Sequence, residues 1–133
     1  MMRLATETRE HALRFGIRNA LVMLRDAGFD AVDLTLGKVN PDDDLLRRPD
    51  MRSFGVSLRE YADSLGIGFV QAHAPFRVTY TDTFNTSCPA YDDVVRSLEL
   101  ASVMGIPRVV VHALKTPADD LTVDYRDVSR RYY

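Results

Sequence analysis

The sequence is poor in cysteine and contains no long apolar run. Its 133 residues include one cysteine, Cys88, which cannot form an internal disulfide. A disulfide framework is therefore excluded, and nothing indicates an oxidising compartment. No apolar run approaches the roughly 18 residues that a membrane-spanning helix needs, and the charged N-terminus is unlike a signal peptide. We expect a cytoplasmic protein with no membrane partner.

The sequence also lacks an excess of charge of one sign. Seventeen Lys and Arg residues against nineteen Asp and Glu residues leave a formal net charge of −2. DNA-binding domains usually carry a basic stripe, so the interleaved charges argue against a nucleic-acid partner. The hydrophobic fraction of 46% and the charged fraction of 27% are those of an ordinary globular protein. We therefore interpret residues 1–133 as a single domain.

What the sequence does contain is a repeat of amphipathic helix, glycine and apolar run. Three helical patterns end at Gly28, Gly66 and Gly105, and glycine suits the left-handed position that closes a helix. In the second pattern, apolar side chains recur at the spacing of a buried helical stripe: Leu58, Tyr61, Ala62 and Leu65. The glycines are followed by β-like runs over residues 29–35, 67–73 and 106–112. Alternating helices and strands predict βα units with a parallel sheet.

The two faces of the predicted strands differ in polarity. Four and six residues after each glycine the side chains are apolar, and we expect them to pack against helices: Val32, Leu34, Val70, Ala72, Val109 and Val111. Five and seven residues after each glycine lie the side chains of the opposite face: Asp33, Thr35, Gln71, His73, Val110 and His112. In a doubly wound sheet both faces are apolar, whereas a barrel directs polar strand ends into its mouth. The pattern favours a parallel α/β barrel over a flavodoxin-like sheet.

The number of units indicates an incomplete barrel. Residues 1–7 would supply a short first strand, and residues 124–133 would begin a fourth helix. About four βα units result, and a (β/α)8 barrel typically needs about 250 residues. We therefore interpret residues 1–133 as the N-terminal half of a TIM barrel.

Two histidines occupy the same position of the repeat. His73 and His112 each lie seven residues after a glycine. If their strands are neighbours, about 4.8 Å apart, the two imidazoles could reach a common metal ion or ligand at the barrel mouth. Catalytic zinc needs at least three protein ligands, so the pair would not complete a zinc site. A hydrogen-bonded structural role for either histidine stays open.

Other candidate residues are a carboxylate and a group of aromatic side chains. Asp33 shares the face of the histidines, where it could bind a polyol, orient a neighbour or accept backbone amides. Phe76, Tyr80 and Phe84 lie in the long segment after the third strand, where barrels build substrate walls. Loop packing explains these aromatic residues equally well. The acidic run 42–44 is typical of a solvated loop or a helix cap.

Three segments together resemble the xylose-isomerase-like TIM barrel superfamily. They are residues 27–34 (AGFDAVDL), 73–76 (HAPF) and 105–112 (GIPRVVVH). The superfamily includes sugar phosphate isomerases and epimerases and endonuclease IV-type DNA repair enzymes, and the resemblance covers about residues 17–133. It implies metal-assisted proton transfer on a sugar, next to a carbonyl. It also implies a sugar or sugar phosphate as the partner and a divalent ion (Mn, Mg, Zn or Co) as the cofactor of the full-length protein.

The residue roles that the resemblance implies differ between the branches. In the isomerase and epimerase branch, Asp33, His73, Phe76 and His112 would line the substrate pocket. The metal ligands and catalytic glutamates of that branch come from later strands, so this chain would hold no catalytic residue and would be inactive alone. In the endonuclease IV branch, His73 and His112 would be zinc ligands. A third hypothesis is a non-catalytic half-barrel that forms a homodimer through its open sheet edges.

Overall fold

The computed structural model describes residues 3–40, 43–75 and 89–112, together with Arg126 and Arg130. These residues form an α/β structure with four helices and a four-stranded parallel sheet. Its elements in chain order are β1 (Ala5–Glu7), α1 (Arg9–Phe15), α2 (Ile17–Asp26), β2 (Ala31–Thr35), β3 (Lys38–Asn40), β4 (Asp43–Asp44), α3 (Met51–Leu65), β5 (Gly68–His73), α4 (Pro89–Val103) and β6 (Val109–Val110).

The strands of the main sheet follow one another in chain order. Strand β1 pairs with β2, β2 with β5, and β5 with β6, and all three pairings are parallel. Consecutive parallel strands are the product of repeated βα units, so the prediction of a parallel α/β sheet is confirmed. The small strands β3 and β4 form a separate antiparallel hairpin after β2. Neither this hairpin nor the short helix α1 is predicted by the patterns in the sequence.

The glycines predicted to end the helices have left-handed backbone angles. Their φ values are 92° at Gly28, 73° at Gly66 and 64° at Gly105. At Gly66 the backbone N–H donates to the carbonyl oxygens of Ala62 and Asp63, which closes the last turn of α3. The predicted helix ends are therefore confirmed. The predicted fourth helix over 124–133 lies outside the described residues except at Arg126 and Arg130.

One apolar core joins the helices to a single face of the sheet. All four helices, or the residues just after them, contribute buried side chains to it. The strand residues in this core are Val32, Leu34, Phe69 and Ala72, with Val109 packed against them. Helices α3 and α4 approach closely at Gly55, where an added Cβ would lie 2.7 Å from Cδ1 of Leu100. Within the described part of the chain, no helix is long and apolar enough to cross a membrane.

A β-bulge changes which residues of β5 face this core. Val32 pairs with Phe69, but the next residue, Asp33, pairs with Gln71, so Val70 is passed over. Phe69 is therefore a core residue with 6% of its surface exposed, and Val70 is only partly buried. The prediction that Val70 packs against the helices is wrong. The bulge inserts one residue into the strand, and this reverses the alternation that the prediction assumed.

Candidate functional site

Strand register brings the polar residues of the second sheet face together. Asp33 pairs with Gln71, and two residues further on Thr35 pairs with His73. His73 also pairs with Val110 on the other side. Because residues in register on adjacent strands share a face, these side chains stand side by side near the carboxyl ends of β2 and β5. The predicted polar face is confirmed for Asp33, Gln71 and His73.

The centre of this cluster is the carboxylate of Asp33. Its Oδ1 lies 2.9 Å from Nδ1 of His73, and its Oδ2 accepts a hydrogen bond from Nε2 of Gln71. The side chains of Asp33 and His73 are 14% and 18% exposed. A polar group that is mostly shielded from water is stabilised when its atoms have hydrogen-bond partners. Both oxygens of Asp33 have such a partner.

His112 completes the cluster by stacking on His73. The ring centroids are 5.6 Å apart and the ring planes differ by 25°. The prediction that the two histidines come together is confirmed. They are not paired with one another in the sheet, however. His73 pairs with Val110, so the ring of His112 approaches from two residues further along the chain.

The fit of these residues to a metal ion is limited. An imidazole binds a metal through a lone pair in its own ring plane, at about 2.0–2.1 Å for zinc. Two stacked, nearly parallel rings do not direct such lone pairs at one point. Among the described residues, no three His, Cys, Asp or Glu side chains form a group that could hold a metal ion. The contacts that the structure shows in this cluster are those of its side chains with one another.

A second polar contact, which the sequence patterns do not predict, lies at the end of β1. Glu7 pairs in register with Asp33, and its Oε1 accepts a hydrogen bond of 2.9 Å from the hydroxyl of Thr35. The amide of Thr35 in turn donates to the hydroxyl of Thr8 at 3.0 Å. Thr8 and Thr35 are buried, whereas Glu7 is exposed. The signal for β1 in the sequence is weak, so no face could be assigned to Glu7.

Several candidate residues lie outside this cluster. Phe76, Tyr80 and Phe84 lie outside the described residues, so their predicted contribution to a substrate wall stays a prediction. Within the acidic run 42–44, Asp44 accepts a hydrogen bond from the amide of Leu46 at 3.1 Å. That contact is a local turn bond. Asp43 and Asp44 themselves form strand β4, so the interpretation of the run as a loop or helix cap is wrong for these two residues.

A solvent-open cavity of about 620 Å³ lies elsewhere, between the start of α3 and α4. Its walls carry ion pairs, including those of Arg47 with Asp92 and Asp93. Burial raises the pKa of Asp93 even though Arg47 opposes the shift. A side-chain hydrogen bond from Arg48 lowers the pKa of Asp50. Cations and carboxylates that satisfy one another at a surface are typical of a structural network, so the strand-end cluster is the stronger candidate site.

Comparisons with known proteins do not assign the chain to a family. A scan against protein-family models and a search of curated proteins both found no match. The superfamily resemblance stays a prediction, and the case for a function rests on the side chains at the strand ends.

Proposed function

We propose that this chain provides the first four βα units of a xylose-isomerase-like (β/α)8 barrel, and with them part of the sugar pocket of a cytoplasmic sugar phosphate isomerase or epimerase. The observation that carries the proposal is the hydrogen bond between Asp33 and His73 at the carboxyl ends of two adjacent parallel strands. In TIM barrels the active site is built at that end of the strands.

The strand order supports the barrel part of the proposal. A doubly wound sheet reverses its strand order and places helices on both faces. Here the order β1-β2-β5-β6 does not reverse, and residues from all four helices share one core with the apolar strand face. Right-handed crossovers that all run in the same direction place their helices on one side, which is the arrangement of a barrel.

Strand displacement is also in keeping with a barrel. Thr35 and His73 each lie seven residues after their glycine, and they pair with one another. His73, however, pairs with Val110, which lies five residues after Gly105. A sheet can close into a barrel only if its strands are displaced along their length from one strand to the next.

The chemistry of the cluster suits a polyhydroxylated ligand. A carboxylate, an amide and two imidazoles within one strand-end cluster offer both donors and acceptors to sugar hydroxyls. The reaction expected of such a protein is metal-assisted proton transfer next to a carbonyl. In keeping with the resemblance to the isomerase and epimerase branch, we assign Asp33, His73 and His112 to sugar binding rather than to the proton transfer.

Sugar titrations monitored by NMR test this proposal. D-fructose and D-fructose 6-phosphate are added separately to the full chain while the side-chain signals of His73 and His112 are followed. We expect both signals to shift at millimolar sugar, and the shifts to be lost in Asp33→Ala. The control Asp63→Ala, which removes an exposed carboxylate paired with Arg59 on α3, should leave them unchanged. If neither sugar shifts the side-chain signals of His73 and His112, the proposal is overturned.

A zinc-dependent phosphodiesterase is a second candidate because His73 and His112 lie close together, although their stacked rings would have to turn before both could bind one zinc ion. This function requires both histidines to bind one zinc ion, with ligands from other parts of the protein. Calorimetric titration with zinc separates the two candidates. Binding that is lost in both His73→Ala and His112→Ala favours the phosphodiesterase, whereas binding that survives either change argues against it.

A non-catalytic half-barrel that forms a homodimer is the alternative to both enzymes. In the described sheet β1 and β6 are the outer strands, so β6 of one copy could pair with β1 of a second copy at both junctions. Such pairing would give eight strands around a two-fold axis and would cover both edges. Light scattering should then report twice the mass of one chain, and a stable monomer would exclude this closure.

A further inference from the structure

The bulge in β5 determines which side chain meets Asp33. Phe69, Gln71 and His73 are two residues apart and would share one face of a regular strand. The bulge lies between the pairs Val32–Phe69 and Asp33–Gln71. It therefore leaves Phe69 in the core and turns Gln71 and His73 to the opposite face. Regular pairing would instead have placed Val70 beside Asp33, and the side chain of valine cannot donate a hydrogen bond.

Because the carboxylate of Asp33 accepts hydrogen bonds, it determines the orientation of the Gln71 amide and the tautomer of His73. An ionised carboxylate can only accept hydrogen bonds. Gln71 must therefore direct its amide nitrogen at Oδ2 of Asp33, and His73 must carry a proton on the Nδ1 that lies 2.9 Å from Oδ1. In the neutral ring the remaining nitrogen, Nε2, then holds the lone pair.

We propose that Gln71 is a positioning residue for His73, acting through Asp33. The amide of Gln71 fixes the carboxylate, and the carboxylate holds the neutral imidazole in its Nδ1–H form. The Nε2 atom of His73 is thereby set as a hydrogen-bond acceptor for a hydroxyl group of the ligand. This last role rests on the proposed function, whereas the state of the imidazole does not.

We predict that replacing Asp33 by asparagine moves the proton of the His73 imidazole from Nδ1 to Nε2. In Asp33→Asn the amide nitrogen of Gln71 still needs an acceptor, so the new side chain turns its oxygen toward Gln71. Its NH2 group then faces His73 and donates to Nδ1, which drives the ring into its Nε2–H form. A similar change of tautomer follows the Asp-to-Asn substitution beside the histidine of a serine-protease triad.

We predict that the double variant Asp33→Asn with Gln71→Glu restores the Nδ1–H form of His73. The carboxylate introduced at position 71 accepts from the NH2 group at position 33. The oxygen at position 33 is then turned back toward His73, where it again accepts from Nδ1–H. The two substitutions exchange the acid and the amide between strands. A role of Gln71 in packing alone would give no reason for the second substitution to undo the effect of the first.

The experiment records long-range 1H–15N spectra of the full chain with labelled histidine, at about pH 8.5, where an ordinary imidazole is neutral. Single substitutions of His11, His73 and His112 assign the three rings. We expect a protonated-type 15N shift at Nδ1 and a lone-pair-type shift at Nε2 of His73 in the wild type. The two shifts should exchange in Asp33→Asn and return in the double variant.

Three results would overturn the inference. They are an Nε2–H ring in the wild type, an unchanged ring in Asp33→Asn, and a double variant that behaves like the single one. The wild-type spectrum decides the first even if a variant fails to fold. No sugar is present, so failure here leaves the sugar proposal standing. Absent sugar binding with the expected spectra would remove only the hydroxyl-binding role.

Discussion

The two faces of strands β2 and β5 are stabilised by different kinds of interaction. On one face Val32, Leu34 and Phe69 are buried against the helices, where burial is favourable in proportion to apolar area and has little directional preference. On the other face Asp33 and His73 retain some exposure and are held by directed hydrogen bonds. The apolar face therefore contributes most of the stability, and the polar face contributes specific geometry at modest energetic gain.

The largest expected effect on stability tests whether the bulge places Phe69 in the core and Val70 outside it. Phe69→Ala removes a core ring and should lower the free energy of unfolding by about 3–4 kcal/mol. Val70→Ala, one residue away on the partly buried bulge, should lower it by no more than about 1 kcal/mol. Urea denaturation of both variants measures the difference. Equal losses would mean that the bulge does not separate the faces as described.

A second test concerns how closely the helices pack behind the apolar face. At Gly55 a new Cβ would meet Cδ1 of Leu100 at 2.7 Å, and Leu100 is 1% exposed. Gly55→Ala should therefore destabilise the protein by about 1–2 kcal/mol, although alanine is favoured over glycine within a helix by about 0.5–1 kcal/mol. The measurement is again the unfolding free energy.

The matched control for this test removes the side chain of Leu100, which a Cβ at position 55 would meet. Leu100→Ala opens space beside position 55, so adding Gly55→Ala to it should cost less than Gly55→Ala costs in the wild type. A double-mutant cycle reports this coupling. A stabilising Gly55→Ala in the wild-type background would show that α3 and α4 lie further apart than the structure places them.

A third test addresses the hydrogen bond at the β1 edge of the polar face. Thr35→Val keeps the shape of the buried side chain but removes the hydroxyl that donates to Glu7. We expect a loss of about 0.5–1 kcal/mol, because exposed Glu7 can turn to water once its donor is gone. Glu7→Gln keeps an acceptor oxygen and should cost less. If Thr35→Val lowers the free energy of unfolding as much as Phe69→Ala does, the apolar face does not contribute more stability than the polar face.

The smallest expected effect is a pH dependence outside both faces. Burial raises the pKa of Asp93 above 3.8, so the native state binds its proton at higher pH than the unfolded chain does. Asp93 therefore opposes folding above its raised pKa, and this penalty disappears as the pH falls toward 3.8. Relative to Asp93→Asn, the wild type should gain stability over that window, weakly because solvent and salt screen the group.

Asp50 provides a control of opposite sign. The hydrogen bond from Arg48 lowers its pKa below 3.8, so its contribution to stability is present above 3.8 and is lost as the pH falls through the lowered pKa. Relative to Asp50→Asn, the wild type should lose stability at acid pH. Thermal unfolding at a series of pH values compares the two pairs, and slopes of the same sign would contradict one of the two assignments.

Local rules account for the parts of the fold that could be predicted from the sequence. Gly28, Gly66 and Gly105 end helices because a left-handed residue is easiest for glycine. Val32 and Leu34 alternate with Asp33 because successive side chains of a strand point to opposite faces. Each rule depends on residues that are neighbours in sequence, so each could be applied without knowledge of the rest of the chain.

The sequence by itself thus determined a parallel α/β repeat and the side of the strands on which Asp33, His73 and His112 stand. Only the tertiary structure decided that Phe69 replaces Val70 in the core, that Gln71 meets Asp33, and that Glu7 binds Thr35. These contacts depend on strand register, and register is set by pairing between segments that lie tens of residues apart. A single bulge residue is enough to change it, and neither strand alone carries a signal for where that residue will lie.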